Sequence, residues 1–130
     1  MSSETAEQRS DRILRLLTSS YPGRRCYDIN GHGTHFVCEL EPAADHPEYD
    51  LALEVIISSN PHKHKRATQQ YKVLTGTLKL HVDDASILLH EGDPYTVKPE
   101  AVHWATSEDE ALVEIRSTPG WTPEDHLRVE

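Results

Sequence analysis

The sequence has little of several features that define whole classes of protein. Its 130 residues include only two cysteines, Cys26 and Cys38, which are too few for a disulfide framework. No apolar run approaches the roughly 20 residues that a membrane-spanning helix needs. The first ten residues, MSSETAEQRS, contain neither a basic nor an apolar segment, so no secretory signal is predicted. These absences favour a globular protein of the cytoplasm that has no membrane partner.

Positive charge is also scarce. The chain has 13 Lys and Arg against 22 Asp and Glu, a formal net charge of −9 with neutral histidines. Nucleic acid is therefore not an expected partner, because phosphate binding needs a basic surface. The local basic run of Lys63, Lys65 and Arg66 interleaves with histidines, so on a strand it is expected to point away from them, into solvent.

One helix is predicted, and everything after it is expected to be strands in a single domain. Residues 4–18 carry the apolar stripe Ile13, Leu14, Leu16 and Leu17, and the sequence YPG at 21–23 ends the helix. The predicted strands are residues 34–41, 49–57, 70–82, 86–90, 95–98, 102–106 and 111–117. Strands that recur roughly every 8–12 residues without intervening helices are typical of an antiparallel sandwich or barrel.

Smaller features complete this outline. The sequence SEDE at 107–110 is predicted to be a turn between the last two strands, and residues 118–130 to be an ordered loop or a short helical turn. Cys38 alternates with Phe36 and Leu40 on the inward face of its strand, so it is expected to be buried and free.

A His-x-His pair is the strongest chemical signal. His62 and His64 project to the same face of a strand, where both imidazoles can bind one metal ion. Gln69 and Tyr71 alternate with Val73 on the following strand and are expected to share the inward face, and His103 can return beside them in an antiparallel barrel. Two exposed strand histidines would give the same local pattern, so the pair alone leaves both interpretations open.

The surrounding spacing resembles the first motif of the cupin family. In that motif, His-x-His is followed after three or four residues by glutamate and after six more by glycine. Here His62 and His64 are followed by Gln69 and Gly76 at matching intervals, and YKVLTGTLKL is similar to the family's usual sequence. The chain departs from the motif in having VIISSNP where the opening glycine stands and glutamine where glutamate stands.

The second cupin motif is also present in altered form. Gly92, Pro99 and His103 match it, with one extra residue before the proline and Ala101 in place of the second glycine. The final segment, TPGWTPEDHLRVE, is similar to the closing segment of many small bacterial monocupins. The resemblance covers about residues 34–117.

The resemblance implies an all-β fold, the double-stranded β-helix or jelly-roll barrel, with one N-terminal α-helix. On this basis the chain divides into a helical extension at 1–24, a barrel at 25–118 and a tail at 119–130 that packs on the barrel or on a partner subunit. Cupins of this size commonly pair through the outer sheet and terminal segments, so a homodimer is expected.

It also implies a metal centre. The family's ligands fall on His62, His64 and His103, with Gln69 at the glutamate position, and the cofactor would be a divalent ion of Fe, Mn, Ni, Zn or Cu. A neutral amide gives the site one positive charge more than a carboxylate would, so metal retention is expected to be weaker and bound water more acidic. Any function that needs the usual glutamate as a base is put in doubt.

Three functions remain open at this point. The first is a metal-dependent enzyme, a dioxygenase, isomerase or lyase, that acts on a small molecule with a carbonyl, enediol or carboxylate group. The second is a module that binds a small ligand or metal without turnover, and the third is a cupin whose weakened site is only structural. A fold hosts many chemistries, so the resemblance does not choose between them.

Other polar residues receive separate predictions. Tyr71 is expected on the site wall, where it contacts substrate or only packs. Glu54 is expected to face solvent because it alternates with Leu53 and Val55, and Glu114 with Arg116 to form a surface pair. Trp104 and Trp121 are expected to pack under the tail or in a subunit contact. The remaining histidines, predicted to lie at the surface or in turns, are His32, His35, His46, His81, His90 and His126.

Overall fold

The computed structural model describes residues 3–129 and begins with helix α1, Ala6–Ser20. The helix starts two residues later than predicted because Thr5 caps it: the Gln8 amide donates to Thr5 Oγ1 and the Thr5 amide donates to Gln8 Oε1. Ile13 and Leu17 are buried, whereas Leu16 is 62% exposed. The predicted apolar stripe therefore packs only in part. No helix in the described part of the chain has the length and hydrophobicity to cross a bilayer.

Ten strands follow the helix within the described residues. They are β1 Cys26–Asp28, β2 His35–Glu41, β3 Asp50–Ser58, β4 His62–His64, β5 Thr68–Thr75, β6 Leu78–Val82, β7 Ala85–Leu89, β8 Pro94–Val97, β9 His103–Thr118 and β10 His126–Arg128. One path of neighbours runs β1-β2-β3-β9-β4-β10, while β5 pairs with β8 and β9, and β6 pairs with β7 and β9. All these pairings are antiparallel, and the sheet curls into a jelly-roll barrel, as expected.

The long strand β9 corrects one prediction. Residues 107–110 were expected to form a turn, but the chain continues as a strand through them. Ser58 pairs with Thr106 while Ile56 pairs with Ala111, so these residues bulge out of the ladder. The bulge bends the strand between two sets of neighbours, β6 before it and β3 with β5 after it. A short polar segment can thus indicate a bend within one strand as well as a turn between two strands.

Gly76 divides the segment predicted as one strand at 70–82. Its φ is +80°, and an added Cβ would lie 2.8 Å from Asp109 Oδ1 and 3.2 Å from Ala111 Cα. Glycine avoids both the strain and the clash. The chain turns there from β5 into β6.

Two apolar clusters lie on opposite sides of the β2–β3 sheet. The first fills the barrel and includes Ile56, Tyr71 and Val113. The second joins α1 to the sheet and includes Leu53 and Val55. Because the side chains of a strand alternate between faces, Glu54, which lies between Leu53 and Val55, must face the barrel interior. The buried position and free thiol predicted for Cys38 are confirmed.

The tail is more ordered than a loop. Pro123–Asp125 forms one 3₁₀ turn, and β10 then pairs with β4 in the register His126 to His64. The Asp125 carboxylate accepts hydrogen bonds from the amides of Arg66 and Ala67 at 2.8 and 3.0 Å. These contacts fasten the tail to the segment that carries the His-x-His pair.

Candidate metal centre

Three histidines converge at one end of the barrel. His62 and His64 stand on β4, and His103, the first residue of β9, pairs directly with His62. One ring nitrogen from each lies within 4.8 Å of the others, and all three side chains are buried. Strand pairing thus brings together residues that are about forty positions apart in the chain, close enough to be candidate ligands of one metal ion.

Backbone carbonyls orient two of the rings. His62 Nδ1 lies 2.8 Å from the Asn60 carbonyl oxygen, and His103 Nδ1 lies 3.0 Å from that of Ala101. A carbonyl only accepts, so both Nδ1 atoms must carry hydrogen, and each neutral ring then has its lone pair on Nε2. His64 Nε2 is buried and has no hydrogen-bond partner in the described part of the chain. All three rings therefore offer a nitrogen lone pair.

Burial keeps these rings neutral. Desolvation lowers the pKa of His62 and of His64 to about 4, and that of His103 to about 3. The neighbouring histidines lower each value further, since they would repel an added proton. A metal ion needs deprotonated imidazole, so these three rings stay in the form that can bind metal well below pH 7.

Gln69 lies against this group of rings. Its Oε1 is 3.0 Å from His103 Nε2, and its Nε2 donates to Ser117 Oγ at 3.0 Å. In the neutral ring oriented by Ala101, His103 Nε2 is an acceptor, so two acceptors face each other. A cation would satisfy both, and a rotated amide that donates to His103 would also remove the conflict. The predicted fourth ligand thus lies beside the three histidines.

Behind the centre lies a histidine that sequence spacing did not single out. His126, predicted to be a surface or turn residue, stacks on His62 with ring centroids 4.5 Å apart and planes 4° apart. Its Nδ1 accepts a hydrogen bond from Trp121 Nε1 at 3.0 Å. Its position follows from the pairing of β10 with β4, and no local sequence motif predicts that long-range contact.

The prediction that Glu54 faces solvent is wrong. Its side chain is 14% exposed and its Oε1 lies 2.5 Å from His35 Nε2, on a ring that was also expected at the surface. Leu53 and Val55 pack toward α1 and not toward the barrel interior, which turns Glu54 inward. Knowing that the helix covers this face of β3 would have given the correct orientation.

Two cavities meet at Glu54, Gln69 and Trp121. The histidine-lined cavity, about 370 Å³, contains His62, His64, His126, Tyr71 and His35 in its wall. The carboxylate-lined cavity, about 440 Å³, contains Glu39, Glu41, Asp50, Arg25 and Tyr27. Volumes of this size suit a small molecule.

Tyr71 lies in the wall of the histidine-lined cavity, with its ring 6.2 Å from that of His103 in an edge-on arrangement. Burial raises the pKa of its phenol far above the usual value, so the hydroxyl stays protonated. No hydrogen bond joins this hydroxyl to another atom within residues 3–129. It remains available to donate to a molecule in the cavity.

The two tryptophans occupy different environments. Trp121 borders both cavities, its amide donates to Asp50 Oδ2 at 2.5 Å, and the residue is 40% exposed. Trp104 instead stacks on His81, with centroids 3.7 Å apart, away from the three histidines. Arg116 lies 4.2 Å over the Tyr49 ring.

Comparison with known proteins gives concordant results. Residues 53–116 match the family model described as the Cupin domain. No curated protein sequence is significantly similar to the chain.

Solved structures share the fold at low identity. The Streptomyces protein PAC13, described as a nucleoside dehydratase, is 14% identical with a TM-score of 0.70, over 82% of this chain and 85% of its own. An RmlC-like cupin from Shewanella frigidimarina is 20% identical with a TM-score of 0.67, over 81% and 90%. Ectoine synthase from P. lautus is 13% identical with a TM-score of 0.61, over 75% and 77%.

Proposed function

Because the chain belongs to the cupin superfamily, as a small single-domain member, we propose that it is a metal-dependent lyase or isomerase. Its substrate is a small hydroxylated molecule that carries a carbonyl or carboxylate group. The observation that carries the proposal is that two sets of side chains meet at one cavity: three buried, neutral imidazoles, of which His62 and His64 line its wall, and the Glu54–His35 pair. The first set suits a metal ion and the second suits proton transfer.

The residues fit a divalent metal ion. His64 Nε2 is a buried nitrogen without a partner, and His103 Nε2 faces the side-chain amide of Gln69. A bound cation would give both histidine nitrogens a partner. His62, His64 and His103 would hold the ion, with Gln69 as a fourth, neutral donor. When bound, the metal supplies a Lewis acid that polarises a substrate oxygen.

The Glu54–His35 pair supplies the base that Gln69 cannot. His35 holds the Glu54 carboxylate at 2.5 Å, on the cavity wall. From there Glu54 takes a proton from the carbon next to the substrate carbonyl. The same pair returns it to a departing hydroxyl in a dehydration, which releases water and forms a C=C bond, or to the neighbouring carbon in an isomerisation. Tyr71 donates a hydrogen bond and thereby orients the substrate.

A proton-transfer reaction is favoured over dioxygenation for two reasons. Oxygen insertion does not require a carboxylate base on the cavity wall, whereas elimination and isomerisation do. One structural relative, PAC13, is a nucleoside dehydratase and has been seen with uridine, a polyhydroxylated molecule. The cavity volumes of about 370 and 440 Å³ suit a substrate of similar size.

The deciding experiment separates the three reaction types. The protein is stripped with a chelator, reloaded separately with Fe²⁺, Mn²⁺, Ni²⁺, Zn²⁺ or Cu²⁺, and incubated with hydroxylated aldehydes, ketones and uronates. We expect loss of water, or uptake of deuterium from D₂O at the carbon next to the carbonyl. Consumption of oxygen instead would identify a dioxygenase, and a retained but unchanged ligand would identify a binding module.

We also propose that the protein is a homodimer. Leu16 on α1 is 62% exposed and Leu88 on β7 is 57% exposed, which leaves apolar surface for a second copy. Light scattering should give twice the 14.7 kDa chain mass. A monomer mass throughout the micromolar range would refute this.

A further inference from the structure

The two cysteines of the chain lie directly opposite each other on neighbouring strands. Cys26 on β1 pairs with Cys38 on β2, and both are free thiols. Both side chains face the helix-covered side of the sheet, where Cys38 is buried and Cys26 packs at the edge of the same apolar cluster. The sequence separates them by twelve positions, and the hairpin-like register removes that separation.

The β1–β2 pairing places Cys26 and Cys38 at a position where the two backbones approach each other closely. The Glu39 amide donates to the Arg25 carbonyl at 2.9 Å, and the Ile29 amide donates to the His35 carbonyl at 2.9 Å. These bonds flank the cysteine pair and do not join the two cysteines, which makes it a non-hydrogen-bonded pair. Cα atoms in such pairs are about 4.5 Å apart. A disulfide accepts Cα separations from about 4.4 to 6.8 Å.

We propose that Cys26 and Cys38 form a reversible intramolecular disulfide, which makes them an oxidation site on two strands whose opposite face lines the carboxylate-lined cavity. The reactant is a peroxide, of which hydrogen peroxide is the simplest. This inference is independent of the proposed metal chemistry, because the cysteines face away from both cavities.

The two thiols are placed for different roles. Cys26 stands on the edge strand β1 and is only half-buried, so a peroxide reaches its sulfur first. Burial raises the pKa of the Cys38 thiol to about 12, and the adjacent Cys26 sulfur contributes to the rise. Cys38 is therefore a poor initial nucleophile but lies beside the sulfur that has reacted.

The chemistry balances in two steps. The Cys26 thiolate attacks one peroxide oxygen and breaks the O–O bond, which gives a sulfenic acid and one water. The Cys38 sulfur then attacks the Cys26 sulfur, loses its proton and displaces a second water. Two thiols lose two electrons and two hydrogens, and one peroxide is reduced to two waters. A small-molecule dithiol reverses the reaction by exchange.

The bridge would act on the cavity through strand alternation. Tyr27 on β1, Arg25 just before it, and Val37 and Glu39 on β2 line the carboxylate-lined cavity. Among the described strands β1 pairs with β2 alone. A covalent link across this pair therefore holds the outer wall of the cavity against its neighbour.

The test uses the whole folded protein. Reduced protein is treated with increasing hydrogen peroxide, and free thiols and intact mass are measured. We expect both thiols to disappear together, with the loss of two hydrogen atoms and no dimer. Chymotryptic fragments that contain Cys26 and Cys38 should stay joined until a dithiol is added. Amide hydrogen exchange in residues 25–39 should slow in the oxidised form.

Two variants keep the test decisive. In Cys26→Ser the buried Cys38 should keep its thiol through the same treatment, and in Cys38→Ala the half-buried Cys26 should gain oxygen instead of losing hydrogen. Oxygen gain at Cys26 in the natural protein, a Cys26–Cys26 dimer, or a bridge that forms only in denaturant would overturn the proposal. Unchanged exchange after bridging would overturn the link to the cavity wall.

Discussion

The histidine-lined and carboxylate-lined cavities adjoin, yet the side chains of the first are mostly uncharged and those of the second carry net negative charge. At the first, burial lowers the pKa values of His62 and His64, and of the neighbouring His103, so all three rings are uncharged donors. In the second, Glu39, Glu41 and Asp50 line the wall together with a single cation, Arg25, and burial raises the pKa of Asp50. The comparison shows that one barrel interior can hold a group of uncharged metal-binding side chains beside a cavity wall with excess negative charge. Glu54 and Gln69 lie on their common border.

The largest expected effect is the loss of metal when the histidine-lined cavity loses its donors. The double variant His62→Ala, His64→Ala removes two of three imidazoles, so metal content should fall from about one ion per chain to almost none, while circular dichroism still reports a folded barrel. Elemental analysis measures it. The matched control, Glu39→Gln with Glu41→Gln in the other cavity, should keep its metal; equal loss in both would show that the ion is held elsewhere.

Acid should destabilise the metal-free protein through the same histidines. Their pKa values in the folded state, about 4, 4 and 3, lie below the unfolded value near 6.5. Below pH 6.5 the unfolded chain therefore binds more protons than the folded chain. The contribution of these histidines to the free energy of unfolding is complete above that pH and is lost as pH falls toward 4. The slope is on the order of 1.4 kcal/mol per pH unit for each histidine. Urea unfolding at several pH values measures it.

The carboxylate-lined cavity should act in the other direction. The pKa of Asp50 is raised in the folded state, so its protonation in acid favours folding and offsets part of the histidine loss. Asp50→Asn should therefore steepen the acid decline, whereas the double histidine variant should flatten it. Parallel curves for all three proteins would contradict this contrast.

Glu54→Gln tests the shared border. It keeps the size of the side chain and its contact with His35 but removes the base, so turnover should fall by roughly 10²–10⁴-fold. Metal content should not change, because Glu54 is not among the converging donors. The comparison variant Glu114→Gln, on β9, should retain full activity. Full activity in Glu54→Gln would assign the proton transfer to another group.

Gln69 gives the smallest and most specific effect. Removal of its amide in Gln69→Ala should weaken metal binding by about 10-fold, comparable to the loss of a supporting group. Gln69→Glu supplies an anionic donor and should bind metal more tightly, with a higher melting temperature when loaded. Titration of the three proteins with one metal at one pH measures both shifts. Affinities within twofold of each other would leave a centre of three histidines alone.

Much of this architecture was predictable because the signals are local. The strand alternation around Phe36 and Cys38 and the spacing of His62 with His64 are both readable within a few residues, and the motif resemblance added His103, whereas the turn at Gly76 was missed inside a segment predicted as one strand. Each depends on side-chain periodicity or backbone sterics, which act over short distances.

What escaped prediction depends on pairing at long range. Glu54 faces inward because α1, some forty residues earlier, covers the other side of β3. His126 reaches His62 because β10 adds to β4 across sixty residues. Residues 107–110 carry turn chemistry but lie in a bulge because β9 must serve two sets of neighbours. No periodicity within a short window contains that information.

The attachment of β10 to β4 has a consequence for how the centre is completed during synthesis. When the ribosome has translated β9, the three histidines are all present, but β4 still lacks its neighbour and His62 its stacked ring. Asp125 has also not yet bound the amides after His64. Metal loading is therefore expected to follow the emergence of residues 125–128 from the exit tunnel. A nascent chain stalled before Asp125 should bind metal more weakly than one stalled beyond Arg128.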